Sequence, residues 1–442
     1  MSKQEREQRF VERHEDEIAP LMDNPSNFLA ELGGKPSQKW LDQVIERFET
    51  RAFLYENPQA RPDAKGVIID ASEPLAWNID RSLLGELLHD ERCARVLFLT
   101  DNVAAKAFEQ SPLASQFDRL HDHQKPLLGE IMEATAKEKF HVALALVEPQ
   151  NSPNLPLLFG AKSVFGVEKL YFVIGGWVGV GAMKGLFDSD RARNFDALDG
   201  ILCNDELAAL IIAAQLPYYK DKLRITGTPI IDGLDLAHAK EHRQQGREKL
   251  GIDENTLTCL YAAGISAEDV RSGFSIDPRL NEKIFEQMLE ALSKQEGPRD
   301  MALLVRPHPR DPNAQEYLDI AKHDWGALRV IPATAKEITM QEAGYASDVI
   351  ASVASTENFL QRLRGGKAVF LGFTGLSDTI LHDLYPPESM QAIINTPNLQ
   401  LVSSPEELGQ YLQTLHPGLD APQIPQTNTD TSAKRILDIS LA

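Results

Sequence analysis

Apolar residues along this chain fall into two repeating series. The first begins near residue 66, where Val67-Ile-Ile-Asp70, Arg95-Val-Leu-Phe-Leu-Thr100, Val142-Ala-Leu-Ala-Leu-Val147, Leu170-Tyr-Phe-Val-Ile174 and Gly200-Ile-Leu-Cys203 alternate with helix-like stretches. These runs are apolar on both faces, as buried parallel strands are, and each is followed by Gly, Pro, Asp or Asn. After a charged helical stretch, Ala237 to Leu250, the rhythm restarts with Leu257–Tyr261, Ala302–Val305, Leu328–Ile331, Val349-Ile350 and Ala368–Leu371. Repeated β-α-β units of this kind predict an α/β protein with two Rossmann-like domains facing a cleft, 66–235 and 236–416.

The ends read differently. Gln4 to Ile18 is charged with sparse apolar positions, and Trp40, Leu41, Val44, Ile45, Phe48 and Phe53 recur at helical spacing. Pro20, Pro25 and Gly33-Gly34 break this stretch into pieces. Residues 1–65 are therefore expected to form a helical extension that packs on the body or on a partner subunit, a route to a homo-oligomer. Residues 417–442 form a tail: Pro417 to Thr431 reads as loop, and Ser432 to Leu441 as a last helix packed back on the body.

A length of 442 residues exceeds what one hydrophobic core supports, in agreement with two domains. The formal charge of −20 repels nucleic acid and anionic membranes, so an anionic ligand needs a local cluster of cations and backbone N–H groups. No apolar run is long enough to cross a bilayer, and Met1-Ser-Lys-Gln-Glu-Arg-Glu lacks a secretory core, which predicts a cytoplasmic protein. Cys93, Cys203 and Cys259 are scattered in apolar surroundings and read as buried small side chains, not as a disulfide or zinc framework.

In open parallel sheets, ligands bind beyond the carboxyl ends of the strands. Arg306-Pro307-His308-Pro309 follows the strand Ala302–Val305. Its prolines stiffen the turn, Arg306 suits phosphate oxygens, and His308 can donate to them or move a proton. Ser355-Thr356-Glu357 follows Val349-Ile350 and opens a helix to Leu363. It reads as an N-cap whose free N–H groups also suit a phosphate, with Glu357 either on a ribose hydroxyl or complementing the helix dipole. Gly227, in Ile225-Thr-Gly-Thr-Pro229, and Gly264 allow close backbone approach to a ligand or are ordinary turns. Gly175-Gly176-Trp177 is not a strict dinucleotide fingerprint and is expected as an acceptor-side loop; Asp188-Ser189-Asp190 is expected as a solvated loop, and no metal site is predicted. Asp101 and Glu148, at strand ends of the first series, are the candidate general bases. Asp205-Glu206 reads as a helix start.

An Arg-Pro-His-Pro strand end, a later Ser-Thr helix start, and Gly366-Lys367 before an apolar strand together resemble the donor half of GT-B glycosyltransferases. The His-Pro and Ser-Thr pair is similar to that of bacterial sialyltransferases and polysialyltransferases, which use CMP-sugars, and of CDP-glycerol glycerophosphotransferases. Thr226-Gly227-Thr228-Pro229…Asp232 resembles the Gly-x-Pro-x-x-Asp junction of the latter and of UDP-N-acetylglucosamine 2-epimerases. The resemblance covers roughly residues 140 to 375. It implies that His308 and Ser355-Thr356 contact the donor phosphate with Arg306 in support. The paired acids followed by Gly of the sialyltransferases have no counterpart; Ile231-Asp232-Gly233 has only one acid. The function expected is a metal- and cofactor-independent glycosyltransferase. It would move a sugar from a CMP-, CDP- or UDP-linked donor to a glycan or protein acceptor, such as a bacterial surface glycan. The alternatives are a UDP-N-acetylglucosamine 2-epimerase-like enzyme and a non-catalytic GT-B-like binding protein.

Overall fold

The computed structural model describes residues 51–71, 76–100, 102–120, 131, 139–145, 166–174, 198–263, 279–294, 300–308, 311, 313–385, 387–422 and 430–442. Residues 1–50, which hold most of the expected helical extension, lie outside this set. The chain divides into two compact units, Met1–Asp232 with Thr429–Ala442, and Gly233–Asn428.

Unit 1 holds β1 (Arg51–Glu56), β2 (Lys65–Ala71), β3 (Cys93–Thr100), β4 (Asp118–Leu120), β5 (Phe140–Ala145), β6 (Lys169–Val173), β7 (Gly200–Cys203) and β8 (Leu223–Ile225). They form one sheet in the order β4-β1-β3-β2-β5-β6-β7-β8. From β3 to β8 every neighbouring pair is parallel, and β2, β3, β5, β6 and β7 are the strands that the apolar runs predict. β1 corrects the helical reading of Trp40 to Phe53 at its end, because Arg51–Glu56 pairs antiparallel along β3 from Arg51↔Thr100 to Glu56↔Arg95. Tertiary pairing outweighs local spacing there. The strand also delivers Phe53 and Tyr55 to an aromatic cluster with Phe98, Phe108 and Phe117, whose ring centroids lie 4.7 to 6.3 Å apart.

Helices α1 (Ala76–His89), α2 (Asn102–Glu109) and α3 (Glu206–Gln215) cover this sheet. Asp205 caps α3 by accepting from the Ala208 amide at 2.8 Å, as its position before the apolar stretch predicts. The last helix, Ser432–Ser440, belongs to unit 1. Its Ala433, Ile436 and Leu437, followed by Leu441, complete the core beneath α1. The three cysteines are buried, and burial pushes each thiol up to about 12.

Unit 2 holds β9 (Leu257–Ala262), β10 (Met301–Arg306), β11 (Leu328–Pro332), β12 (Val349–Ser352), β13 (Lys367–Leu371) and β14 (Leu399–Val402), all parallel, in the order β11-β10-β9-β12-β13-β14. Every run expected in the second series is a strand, and the short Leu399-Gln-Leu-Val402 adds an edge strand. Between strands run α4 (Ala239–Leu250), α5 (Leu280–Ser293), α6 (Ala314–Ile320), α7 (Met340–Ala346), α8 (Thr356–Leu363), α9 (Asp378–Leu384), α10 (Pro387–Ile394) and α11 (Pro405–Thr414).

At the amino edge of this sheet, the carboxylate of Asp348, only 2% exposed, gathers four elements. It accepts from the Thr258 amide at 2.7 Å, from the Gly418 amide at 2.7 Å and from Arg243 at 2.6 Å, and it faces Arg247 at 3.6 Å. Removing one member of a buried ion pair strands the others, typically at about 3–5 kcal/mol. Asp348→Ala is therefore expected to lower the urea unfolding free energy of unit 2 by about 3–5 kcal/mol. Lys322→Ala, which breaks an exposed pair with Asp319, should leave the urea midpoint unmoved.

Candidate functional site

The strand order of unit 2 is that of a doubly wound sheet, with its topological switch between β9 and β12. The connections from these two neighbours leave in opposite directions, and sheets of this kind take their ligands in the crevice at the carboxyl ends there. The register puts Arg306 of β10 beside Ala262 of β9, and Ala351 of β12 beside Tyr261. Arg306, Ala262 and Ser352 thus stand in one row across three strands, a span of about 10 Å.

On one side of the crevice, α8 starts directly after β12. Ser355 is its N-cap and its hydroxyl accepts from the Glu357 amide at 3.2 Å, while Thr356 is the first helical residue. The Asn358 amide also bonds within the cap, to the Ser355 carbonyl at 3.1 Å, and the positive helix end favours an anion. The helix is locked in place through polar side chains that are all buried. Ser352 Oγ donates to Asn358 Oδ1 at 2.9 Å, Asn358 Nδ2 to the Val369 carbonyl at 3.1 Å, and Gln361 Nε2 to the Ser347 carbonyl at 2.8 Å. Glu357, which is partly exposed, pairs with the buried Arg364 at 2.8 Å.

On the other side, the Arg306–His308 turn leaves β10. Arg306 Nη1 donates to the Ala333 and Ile338 carbonyls, each at 2.8 Å, and so braces the segment that follows β11. Burial lowers its pKa, and the charges of Glu357 and Glu342 oppose the shift. His308 is half-buried, and its carbonyl accepts from the Asp311 amide at 3.0 Å. Asp311 accepts in turn from Asn281 at 2.8 Å and from the Tyr317 hydroxyl at 3.2 Å, and Tyr261 donates to the Asn281 carbonyl at 3.0 Å. Burial pushes both tyrosine hydroxyls up, so they stay protonated donors. This network fixes the turn from beneath.

Gly227 lies in unit 1 and has a structural task. Its φ is +81°, and a Cβ there would run into Ser432 and Arg435 of the last helix. Arg435 Nε donates to the Thr226 carbonyl at 2.6 Å, and Asp232 accepts from the Ser432 and Ala433 amides at 2.9 and 3.2 Å. The Thr-Gly-Thr-Pro…Asp stretch is the seat of that helix. Gly264, Gly175, Gly176, Trp177, Asp188, Asp190, Asp101 and Glu148 lie outside the described residues.

Two groups escaped the sequence reading. Asp70 is fully buried at the carboxyl end of β2, where the order β3-β2-β5 places the switch of unit 1; an acid closing an apolar run was its signal. Asp235 bonds His238 Nδ1 at 2.8 Å and His242 Nε2 at 3.2 Å, a cluster assembled by the turn before α4. Among the described residues no group of three or more His, Cys, Asp or Glu is placed to hold a metal ion, and no helix is long and apolar enough to cross a membrane.

Comparison with solved structures identifies the architecture as the two-domain α/β GT-B fold. UDP-GlcNAc 2-epimerase from Neisseria meningitidis, bound to UDP-GlcNAc, superposes with a TM-score of 0.52 at 13% identity, over 85% of this chain and 99% of its own. UDP-GlcNAc 2-epimerase from Methanocaldococcus jannaschii gives 0.50 at 15% identity, again over 85% and 99%. At such identities the likeness is one of fold. No family model matches the chain, and no curated protein matches it.

The Asp235–His238 pair has a clear pH signature. The hydrogen bond from His238 lowers the pKa of Asp235, and that bond raises the pKa of His238. A lowered acid stabilises above its ordinary 3.8 and loses this as pH falls through the folded value. A raised base stabilises below its ordinary 6.5 and loses this as pH rises through the folded value. The pair's contribution is thus fully present between those two ordinary values. NMR titration is expected to show a His238 midpoint above 6.5 that falls back toward it in Asp235→Asn.

Proposed function

We propose that unit 2 binds the nucleotide of a nucleotide-activated sugar and that the protein is a metal-independent glycosyltransferase. The observation that carries this reading is the strand order, in which the capped start of α8, with Glu357 in its first turn, and the Arg306–His308 turn follow β12 and β10, the two neighbours of β9. A diphosphate fits the positive end of α8 and His308, Arg306 adds positive charge behind the turn, and Glu357 accepts from ribose hydroxyls.

In the reaction, the bond between the anomeric carbon and the phosphate oxygen breaks, and its electron pair leaves with the nucleotide. The positive end of α8 and His308 stabilise that charge as it develops. The acceptor hydroxyl, on a glycan or a protein, bonds to the same carbon and gives its proton to a carboxylate, for which Asp101 and Glu148 are the candidates. The solved epimerases of the same fold are named for UDP-GlcNAc, which makes UDP the first nucleotide to test. CMP and CDP follow from the Arg-Pro-His-Pro and Ser-Thr resemblance.

Isothermal titration with CMP, CDP, UDP and GDP is expected to give saturable binding of at least one. His308→Ala should weaken it by roughly tenfold to a hundredfold, the worth of one charge-assisted hydrogen bond. Unchanged affinity in His308→Ala would remove the phosphate role, and binding of none of the four would favour a non-catalytic protein of this fold. Incubation with UDP-GlcNAc alone separates the activities, since an epimerised product without added acceptor identifies an epimerase.

A further inference from the structure

We propose that Arg364 is the positioning residue of the nucleotide site, holding Glu357 from behind as an acceptor for the ribose hydroxyls. The inference rests on the reading of unit 2 as a nucleotide-binding domain and adds a residue that does not touch the ligand.

Arg364 follows the last turn of α8 and is 1% exposed. Its guanidinium reaches back seven residues along the helix, two turns on the same face, to Glu357 Oε2 at 2.8 Å. The slot it occupies is built around it. The face of the Tyr345 ring lies 5.3 Å away, a cation–π distance, and Gln361 Oε1 lies at 3.4 Å. Tyr345 is backed in turn by His242 of α4, with ring centroids 5.1 Å apart. Gly344 gives the guanidinium its room, since a Cβ there would stand 2.5 Å from Nη1 and 2.8 Å from Cζ.

Burying a permanent charge is costly unless a carboxylate answers it. Here that carboxylate stands in the first turn of the helix that opens on the switch point. Its side chain is 19% exposed, and its field reaches Arg306 on β10. With Oε2 engaged, the carboxylate is held in one orientation. Oε1 accepts no hydrogen bond among the described residues. A carboxylate held so is suited to the paired hydroxyls of a ribose, and a site built to bond hydroxyls discriminates against a ligand that lacks them.

The test compares UDP with 2′,3′-dideoxy-UDP, and GDP with 2′,3′-dideoxy-GDP, by calorimetry on the full chain. The proteins are wild type, Glu357→Gln, Arg364→Met and Gly344→Ala. Wild type is expected to prefer the ribonucleotide by about tenfold or more. In Arg364→Met this preference should fall below about threefold while affinity for the dideoxy form stays within about twofold, a split that general loss of structure would not produce. Gly344→Ala, whose added methyl group displaces the guanidinium from outside the site, should reduce the preference in the same way. It alone decides if Arg364→Met does not fold. Wild-type preference in Arg364→Met or Gly344→Ala, or an equal loss for both ligands, overturns the inference. If Glu357→Gln loses the preference while both of the others keep it, the nucleotide reading stands and the role of Arg364 falls. If wild type binds none of the four nucleotides, the reading of unit 2 fails first and takes the inference with it.

Discussion

The pairing of β9 with β12 is the contact on which the second unit turns. Hydrogen bonds between parallel strands are a general resource, but among the described strands of unit 2 only this pair joins connections that leave in opposite directions, the point at which such sheets take their ligands. The register from Val349↔Cys259 to Ala351↔Tyr261 is short, and Asp348 extends it by accepting from the Thr258 amide while it holds Arg243 and the Gly418 amide. A carboxylate buried at one edge of the sheet thereby secures the two strands whose other ends form the crevice. The same pairing sets Ser355 and the start of α8 on one side, with Arg306 and His308 one strand beyond β9 on the other.

Much of this was legible in the order of residues. Strands buried on both faces announce themselves as apolar runs, and each of the five in the second series is a strand in unit 2. β1 was not legible. Arg51–Glu56 carries Phe53 and Tyr55 at alternate positions, yet Trp40 to Phe53 also fits a helical period, and only the six-pair register with β3 decides between them. β4, β8 and β14 are too short to show a period of their own. The last helix was legible as a helix, but its seat was not, because Asp232 and Ser432 are joined by folding across the length of unit 2.

The site was legible by residue type more than by arrangement. Strand ends drew attention to Arg306, His308 and Ser355-Thr356, which follow β10 and β12, the two neighbours of β9. The polar residues that hold them, among them Asn358, Gln361, Asp311 and Asn281, gave no signal in the sequence, since a buried amide reads like a surface one until its partners are known. Glu357 could be read as a ribose ligand or as a dipole partner; its bond to Arg364 shows a third use, which is to neutralise a charge that the fold keeps out of water.

The helix Ser432–Ser440 fills the core of unit 1, yet nearly two hundred residues of unit 2 separate it from the rest of that core. On a ribosome, unit 2 is a continuous stretch and can close as soon as it emerges. Unit 1, begun first, must wait with Leu84, Leu88 and their neighbours short of cover until the final helix arrives. The order of synthesis is thus the reverse of the order of completion.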